Sequence, residues 1–384
     1  MSAAMTDPNL DEKAPDDPAL GLYGVLGEDG KLKAGFPMPD HALLKRMYLE
    51  MRRVRLLDER MVMLQRQGRV GFYGACTGQE AAVVATGLAA SPEDWIFPAL
   101  RENAIMLVRG FPLASYIAQV YGNSADTLKG RQMPAHISSR SVNQVSWSSC
   151  IGTQLPHAVG AAWAARIKGD PIVTLGFMGD GATSEADFHA ALNFAGIFQL
   201  PTVFVCQNNQ WAISVPLNRQ TASATLAMKA RAYGLPGIRV DGNDVIAVHQ
   251  VLSEAIARAR RGEGPMFVEL LTYRVAPHST SDDPTRYRSN AEVDVWLRRD
   301  PLDRLVRFLR SQNLLTDAEA ERIDQDAARD IREAIEQVES SGPPPLSSLF
   351  DDVYAERPWH LAEQCEELER LPPRQPGSEG KGHG

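Results

Sequence analysis

The chain has little cysteine, few aromatics, no excess of basic charge and no long apolar run. Its four cysteines, Cys76, Cys150, Cys206 and Cys365, lie far apart without a CxxC pair. That spacing argues against a disulfide framework or a zinc site and fits a reducing, cytoplasmic setting. No stretch reaches the roughly 18 consecutive apolar residues that a membrane-crossing helix needs. Lys and Arg number 40 against 48 Asp and Glu, a formal charge of -8. Phosphate backbones select a basic face, so a nucleic-acid partner is not expected. The first residues, MSAAMTDPNLDEKAPDDPALG, carry neither a basic n-region nor an apolar h-region. They do not read as a signal or transit peptide.

What is present is ordinary globular material: 384 residues, 44% hydrophobic and 23% charged, enough for a sizeable core. Residues 1–38 are rich in Pro, Asp and Gly and read as a flexible N-terminal arm. Asp40 to Gln67 is strongly amphipathic and predicts a helix closed by Gly68. A second helix is expected from Gln79 to Ala90. The middle alternates. Ile172–Phe177, Thr202–Cys206, Ile238–Val240 and Met266–Leu271 read as buried strands from their apolar runs. Helices between them are capped by Ser184 and Asp244. Strand and helix in alternation predict an α/β fold, a parallel sheet flanked by helices within a single domain over 39–370. Thr316 to Glu319 reads as a capping box opening a charged helix to about Glu339 in a helical C-terminal region. Residues 371–384 read as a disordered tail.

One constellation carries chemistry. Gly179-Asp180-Gly181 ends one apolar strand, and Asn208-Asn209 ends the next, one helix later. A lone GDG is usually a turn. Two such ends on neighbouring strands place a carboxylate and an amide oxygen at one rim, where open α/β sheets bind ligands. Magnesium takes such oxygens and shares its shell with phosphate. Asp180, the Asn209 side chain and the Trp211 carbonyl are the expected ligands. A helix opening beside them favours a phosphate by roughly 0.3–2 kcal/mol.

The pattern GDGATSEADFHAALNF...VFVCQNNQWAIS resembles the diphosphate-binding signature of thiamine-diphosphate enzymes. More narrowly, the chain resembles the alpha subunit of the branched-chain 2-oxo acid dehydrogenase from about residue 40 to 368. The segments KGRQMPAH (129–136), GTQLPHAVGAA (152–162), IRVDGND (238–244), YRVAPHSTSDDPTRYRS (273–289) and LFDDVYAERPWHL near the end carry it. The resemblance implies the thiamine-diphosphate-binding fold and a set of roles. Arg101, Gly181 and Ala182 would contact the diphosphate, and Ser149 and Ile151 the aminopyrimidine side. Ser148, Cys150, Thr153 and Gln154 match a potassium site of some relatives. Phe72, Leu100, Met133 and His136 match the acyl pocket. His278 matches a catalytic histidine that also borders the cofactor. Ser279 and Ser289 match positions phosphorylated in animal relatives, although nothing in this chain implies a kinase.

The resemblance further implies oxidative decarboxylation of a small 2-oxo acid, with acyl transfer to the lipoyl group of a dihydrolipoyl acyltransferase core. The cofactor would lie between this chain and a beta subunit in an α2β2 heterotetramer, the beta subunit supplying the glutamate that activates it. Three positions depart from the family: Leu100 replaces a usual tyrosine, Gln207 a position often charged, and Cys150 a usual proline. Loss of the tyrosine hydroxyl from a charged partner is worth about 1.5–3 kcal/mol. Pyruvate or acetoin dehydrogenase alpha subunits, and a non-catalytic scaffold, are the alternatives.

Overall fold

The computed structural model describes residues 17–279 and 282–372. The helices are α1 His41–Arg66, α2 Glu80–Ala89, α3 Ile105–Val108, α4 Leu113–Tyr121, α5 Gln154–Lys168, α6 Ala186–Ile197, α7 Val245–Arg260, α8 Asn290–Leu297, α9 Pro301–Ser311, α10 Asp317–Glu339 and α11 Trp359–Arg370. The strands are β1 Trp95–Phe97, β2 Thr174–Gly179, β3 Thr202–Asn208, β4 Trp211–Ala212, β5 Val215–Pro216, β6 Gly237–Asp241 and β7 Met266–Leu271. Five of them form one parallel sheet in the order β1-β2-β3-β7-β6. β4 and β5 pair antiparallel as a small ribbon beside it.

Both faces of the sheet are covered, which is why its strands read as unbroken apolar runs. Successive side chains point to opposite faces. Val203 and Val205 of β3 pack with Val248, Leu252 and Val84 on one side. Phe204 and Cys206 pack with Leu155, Val159, Phe188 and Leu192 on the other. A third cluster joins the far half of α1 to α4 and α10 through Leu57, Met61, Tyr116 and Ile335.

Several local predictions hold because the capping chemistry is explicit. Asp40 accepts the Leu43 N–H and starts α1. Thr316 and Glu319 close a reciprocal capping box at α10. Asp244 caps α7 by accepting Ile246 and Ala247 N–H groups at 3.1 Å each. Other expectations change. Ser184 does not cap a helix: Asp180–Ser184 is a 3₁₀ turn, and α6 starts only at Ala186. That short turn lets the chain leave β2 tightly before the helix. β1 was not expected, because three residues, WIF, carry too little periodicity.

The expected arm divides. Residues 1–16 lie outside the described residues, as do 373–384 of the expected tail. Residues 17–38, in contrast, are packed against the domain. Tyr23 bridges Val240 along the outer edge of β6. Its N–H donates to the Arg239 carbonyl at 2.9 Å, and its carbonyl accepts the Asp241 N–H at 2.9 Å. Val25 and Leu26 are buried, and their N–H groups donate to Asp244 Oδ2 at 2.7 and 2.6 Å. The segment shields a sheet edge that would otherwise offer unpaired backbone groups.

Candidate active site

Four neighbouring strands deliver chemistry to one rim. The register pairs Gly179 of β2 with Gln207 of β3, and Asn208 with Leu271 of β7. Asp180 and Asn209 therefore leave adjacent strands side by side. The ladder continues past the strand ends, with Thr272 N–H donating to the Asn208 carbonyl at 2.9 Å and Arg274 N–H to the Asn209 carbonyl at 3.3 Å. Arg274 enters the rim from β7, followed by His278. Arg101 arrives from the loop after β1 and donates through Nη2 to the His278 carbonyl at 2.8 Å. Its Nη1 donates to the Ala75 carbonyl.

Asp180 is 1% exposed, and its Oδ2 has no hydrogen-bond partner among the described residues. Burial pushes its carboxyl up to about 6, against the pull of its own N–H, the Arg274 guanidinium and the Asn209 N–H. A stranded carboxylate oxygen of this kind costs about 1–3 kcal/mol or more unless something binds it. A hard cation satisfies it directly, and the donor set fits magnesium. Asn209 Oδ1 accepts the Trp211 N–H at 3.3 Å and keeps a second lone pair. The Trp211 carbonyl, the third expected ligand, accepts Arg274 Nη1 at 3.1 Å. It too keeps one lone pair.

Among the described residues the cations of the rim have no carboxylate partner. Arg101 and Arg274 are both buried and bond only to carbonyls and to the Tyr287 hydroxyl. Arg274 Nε has no partner among the described residues. Burial lowers Arg101 to about 10, and Arg274 nearby adds to the effect. Arg274 is lowered likewise, first by burial. Burial, then Arg101 and Arg274, brings His278 down to about 4, so its imidazole is neutral near pH 7. Two buried guanidiniums close enough to repel each other are costly without an anion and suited to a diphosphate. His278 itself is pinned by its backbone: the N–H donates to Asp282 Oδ2 at 2.8 Å while the carbonyl holds Arg101.

Glycine is required beside Asp180. A Cβ on Gly181 would stand 2.9 Å from Ala212 Cβ, so the chain approaches the ribbon closely. Ala182 is buried behind it. Ser149 is exposed. Its Oγ bonds His136 Nε2 at 2.9 Å, and the His136 ring stacks on Trp147 at 3.8 Å. Ile151 is 56% exposed.

Of the expected pocket residues, Met133 is 62% exposed, and Phe72 and Leu100 are half-buried. Their segments converge. A Cβ on Gly74 would meet Leu100 Cδ1 at 2.9 Å, and one on Gly71 would meet Pro134 at 3.3 Å. Ser148, Cys150 and Thr153 form one turn, with Cys150 N–H on Ser148 Oγ at 3.1 Å and Thr153 Oγ1 on the Cys150 carbonyl at 3.0 Å. Gln154 turns away to the sheet, its Nε2 on the Phe177 carbonyl at 2.7 Å. Ser289 caps α8 by accepting the Glu292 N–H at 3.3 Å.

Sequence reasoning missed three contributors. Arg274 could have been found as a basic residue immediately beyond the apolar strand MFVELL. Glu102 holds the Arg101 turn by accepting the Ala99 N–H at 2.8 Å and the Arg101 N–H at 3.2 Å. It also accepts Gln207 Nε2 at 2.7 Å, joining the Arg101 loop to β3. Gln79 reads in sequence only as a helix start.

An α/β sheet with a stranded carboxylate and guanidiniums bonded mainly to carbonyls at its carboxyl rim has the form of an enzyme component with an anion-accepting site. The chain belongs to the dehydrogenase E1 component family, whose model matches residues 48–347. It is 44% identical over 326 residues to the 3-methyl-2-oxobutanoate dehydrogenase subunit alpha of Mycobacterium tuberculosis, covering 85% of this chain and 86% of the relative. It is 40% identical over 360 residues to the mitochondrial 2-oxoisovalerate dehydrogenase subunit alpha 1 of Arabidopsis thaliana, covering 93% and 76%. The mitochondrial 2-oxoisovalerate dehydrogenase subunit alpha of Homo sapiens is 40% identical over 355 residues, covering 91% and 80%. Two of these names are mitochondrial, against the expectation of a cytoplasmic setting. Among the described residues no helix is long and apolar enough to cross a membrane.

Proposed function

We propose that this chain is the alpha subunit of a thiamine-diphosphate-dependent branched-chain 2-oxo acid dehydrogenase, acting on 3-methyl-2-oxobutanoate and related 2-oxo acids. The observation that carries the reading is the pairing of opposites at one rim. Asp180 offers a buried oxygen to a cation, and Arg101 and Arg274 offer buried charge to an anion. A magnesium–diphosphate group satisfies both at once.

When bound, thiamine diphosphate supplies the electron sink for loss of carbon dioxide. The chain's own residues bind and orient. Asp180, Asn209 and the Trp211 carbonyl would hold magnesium. Arg101, Arg274 and the backbone at Gly181 and Ala182 would hold the diphosphate, with Ser149 and Ile151 toward the aminopyrimidine. Phe72, Leu100, Met133 and His136 would line the acyl site. Neutral His278 would be able to accept a proton or donate an N–H hydrogen bond during acyl transfer to lipoamide. Ser148, Cys150, Thr153 and Gln154 are proposed for potassium. The exposed segment Ser149 to Ile151 suits a site completed by a beta subunit, in an α2β2 assembly that serves an acyltransferase core.

Assembly with a beta subunit tests this. The complex should decarboxylate 3-methyl-2-oxobutanoate with a higher kcat/KM than pyruvate, and the chain alone should be inactive. Robust turnover by the isolated chain would sink the shared site, and preference for pyruvate would sink the branched-chain assignment.

A further inference from the structure

Gln79 is fully buried at the opening of α2. It lies on a loop held from several sides. Asp58 accepts the Cys76 N–H at 2.7 Å and the Tyr73 hydroxyl at 2.8 Å. Glu80, itself paired with Arg55, accepts the Gly78 N–H at 3.0 Å. Thr272 Oγ1 donates to the Gly78 carbonyl at 3.1 Å, tying the loop to the end of β7. The same loop presents the Ala75 carbonyl to Arg101. Gln79 is therefore a rigid part of the rim.

Its side chain has one partner. Asn209 Nδ2 donates to Gln79 Oε1 at 3.4 Å. The orientation of this pair is set from the other end. Trp211 N–H donates to Asn209 Oδ1 at 3.3 Å, so the Asn209 nitrogen must face Gln79, and Gln79 must answer with its oxygen. Two consequences follow. Asn209 is locked with Nδ2 toward Gln79 and Oδ1 toward the Trp211 N–H. Gln79 Nε2 is left buried with no acceptor among the described residues. A buried amide N–H₂ without an acceptor is unfavourable. It sits on the carboxamide that touches a proposed metal ligand, in a rim whose unpaired groups among the described residues include the Asp180 oxygen and the Arg274 Nε.

We propose that Gln79 is a further diphosphate-binding residue, which fixes the Asn209 amide through Oε1 and donates Nε2 to a diphosphate oxygen of the coenzyme. The proposal rests on the magnesium–thiamine diphosphate reading above. Charge-assisted hydrogen bonds are the strong ones, so the donor half of the role dominates.

The test uses the assembled alpha–beta complex of wild type, Gln79→Leu and Gln79→Glu. Thiamine diphosphate is titrated calorimetrically at saturating magnesium, and thermal unfolding is followed without ligand. Gln79→Leu should raise the Kd about ten- to hundredfold, as for one lost hydrogen bond to a charged group, with unliganded Tm shifted by no more than a few degrees. Gln79→Glu still accepts from Asn209 but cannot donate and adds negative charge. It should weaken the cofactor at least as much. A near-wild-type Kd for Gln79→Glu would overturn the donor role, and for Gln79→Leu the whole proposal. If Gln79→Leu does not fold, Gln79→Glu decides. Wild-type complex that fails to bind magnesium and thiamine diphosphate would instead overturn the broader reading. Wild-type binding with unchanged variants overturns this inference alone.

Discussion

Asp180 and Asp244 are both buried carboxylates just beyond a strand of the same sheet, yet their surroundings differ completely. Asp244 is saturated. Oδ1 accepts two N–H groups at the start of α7, and Oδ2 accepts two from the segment that covers the sheet edge. Asp180 leaves Oδ2 without a partner among the described residues. Burial raises both carboxyls above their ordinary range, so a shifted pKa does not separate them. What separates them is satisfaction. A fully bonded buried acid holds a fold together, and an unfinished one at a ligand-binding rim waits for something outside the chain.

The largest test of that contrast is a crossed pair of substitutions in the alpha–beta complex. Asp244→Ala removes a helix cap and strands two amides. It should cost about 3–5 kcal/mol of stability by denaturant unfolding, with thiamine diphosphate affinity kept in the folded fraction. Asp180→Ala should leave unliganded stability within about 1 kcal/mol, since it removes an unsatisfied group. It should weaken magnesium–thiamine diphosphate roughly a hundredfold or more, read by calorimetry. Equal losses of stability from the two would erase the distinction.

Asp58 sharpens the comparison through pH. It is bonded on both oxygens, yet burial first, and Glu80 second, push it up to about 7. The unfolded carboxyl titrates near about 3.9. Between these values the folded state binds the extra proton, so the stabilising contribution is full below about pH 4 and is lost as pH rises through 7. The size is of order 2–4 kcal/mol. Asp58→Asn should flatten that slope in unfolding measured at pH 5 and pH 8. An unchanged slope would assign it to other groups.

The smallest expected effect belongs to Ser289, another satisfied cap. Ser289→Ala should cost about 0.5–2 kcal/mol at α8 and leave cofactor Kd unchanged. A large change in Kd would place Ser289 in the site rather than at its border.

The sheet was legible because strands buried on both faces read as dense branched runs, and because Asp244 and Thr316 announce their helices. The three residues of β1 were too few to show a period. Residues 17–38 misled by composition: Pro, Asp and Gly suggest mobility, but Val25 and Leu26 are anchored by Asp244, 218 or more residues away. The pairing of Asp180 with Asn209 was legible because one βαβ step puts consecutive strand ends side by side. Arg274 and Gln79 were not, since their roles come from which groups remain unbonded after folding. No spacing encodes that.

On this reading a divalent cation completes Asp180. The direct test is anomalous diffraction from crystals of the alpha–beta complex grown with thiamine diphosphate and manganese in place of magnesium. The account predicts one manganese peak bound by Asp180 Oδ2 and Asn209 Oδ1 and shared with the diphosphate. A peak elsewhere, with the Asp180 oxygen still unbonded while the coenzyme is in place, would contradict it.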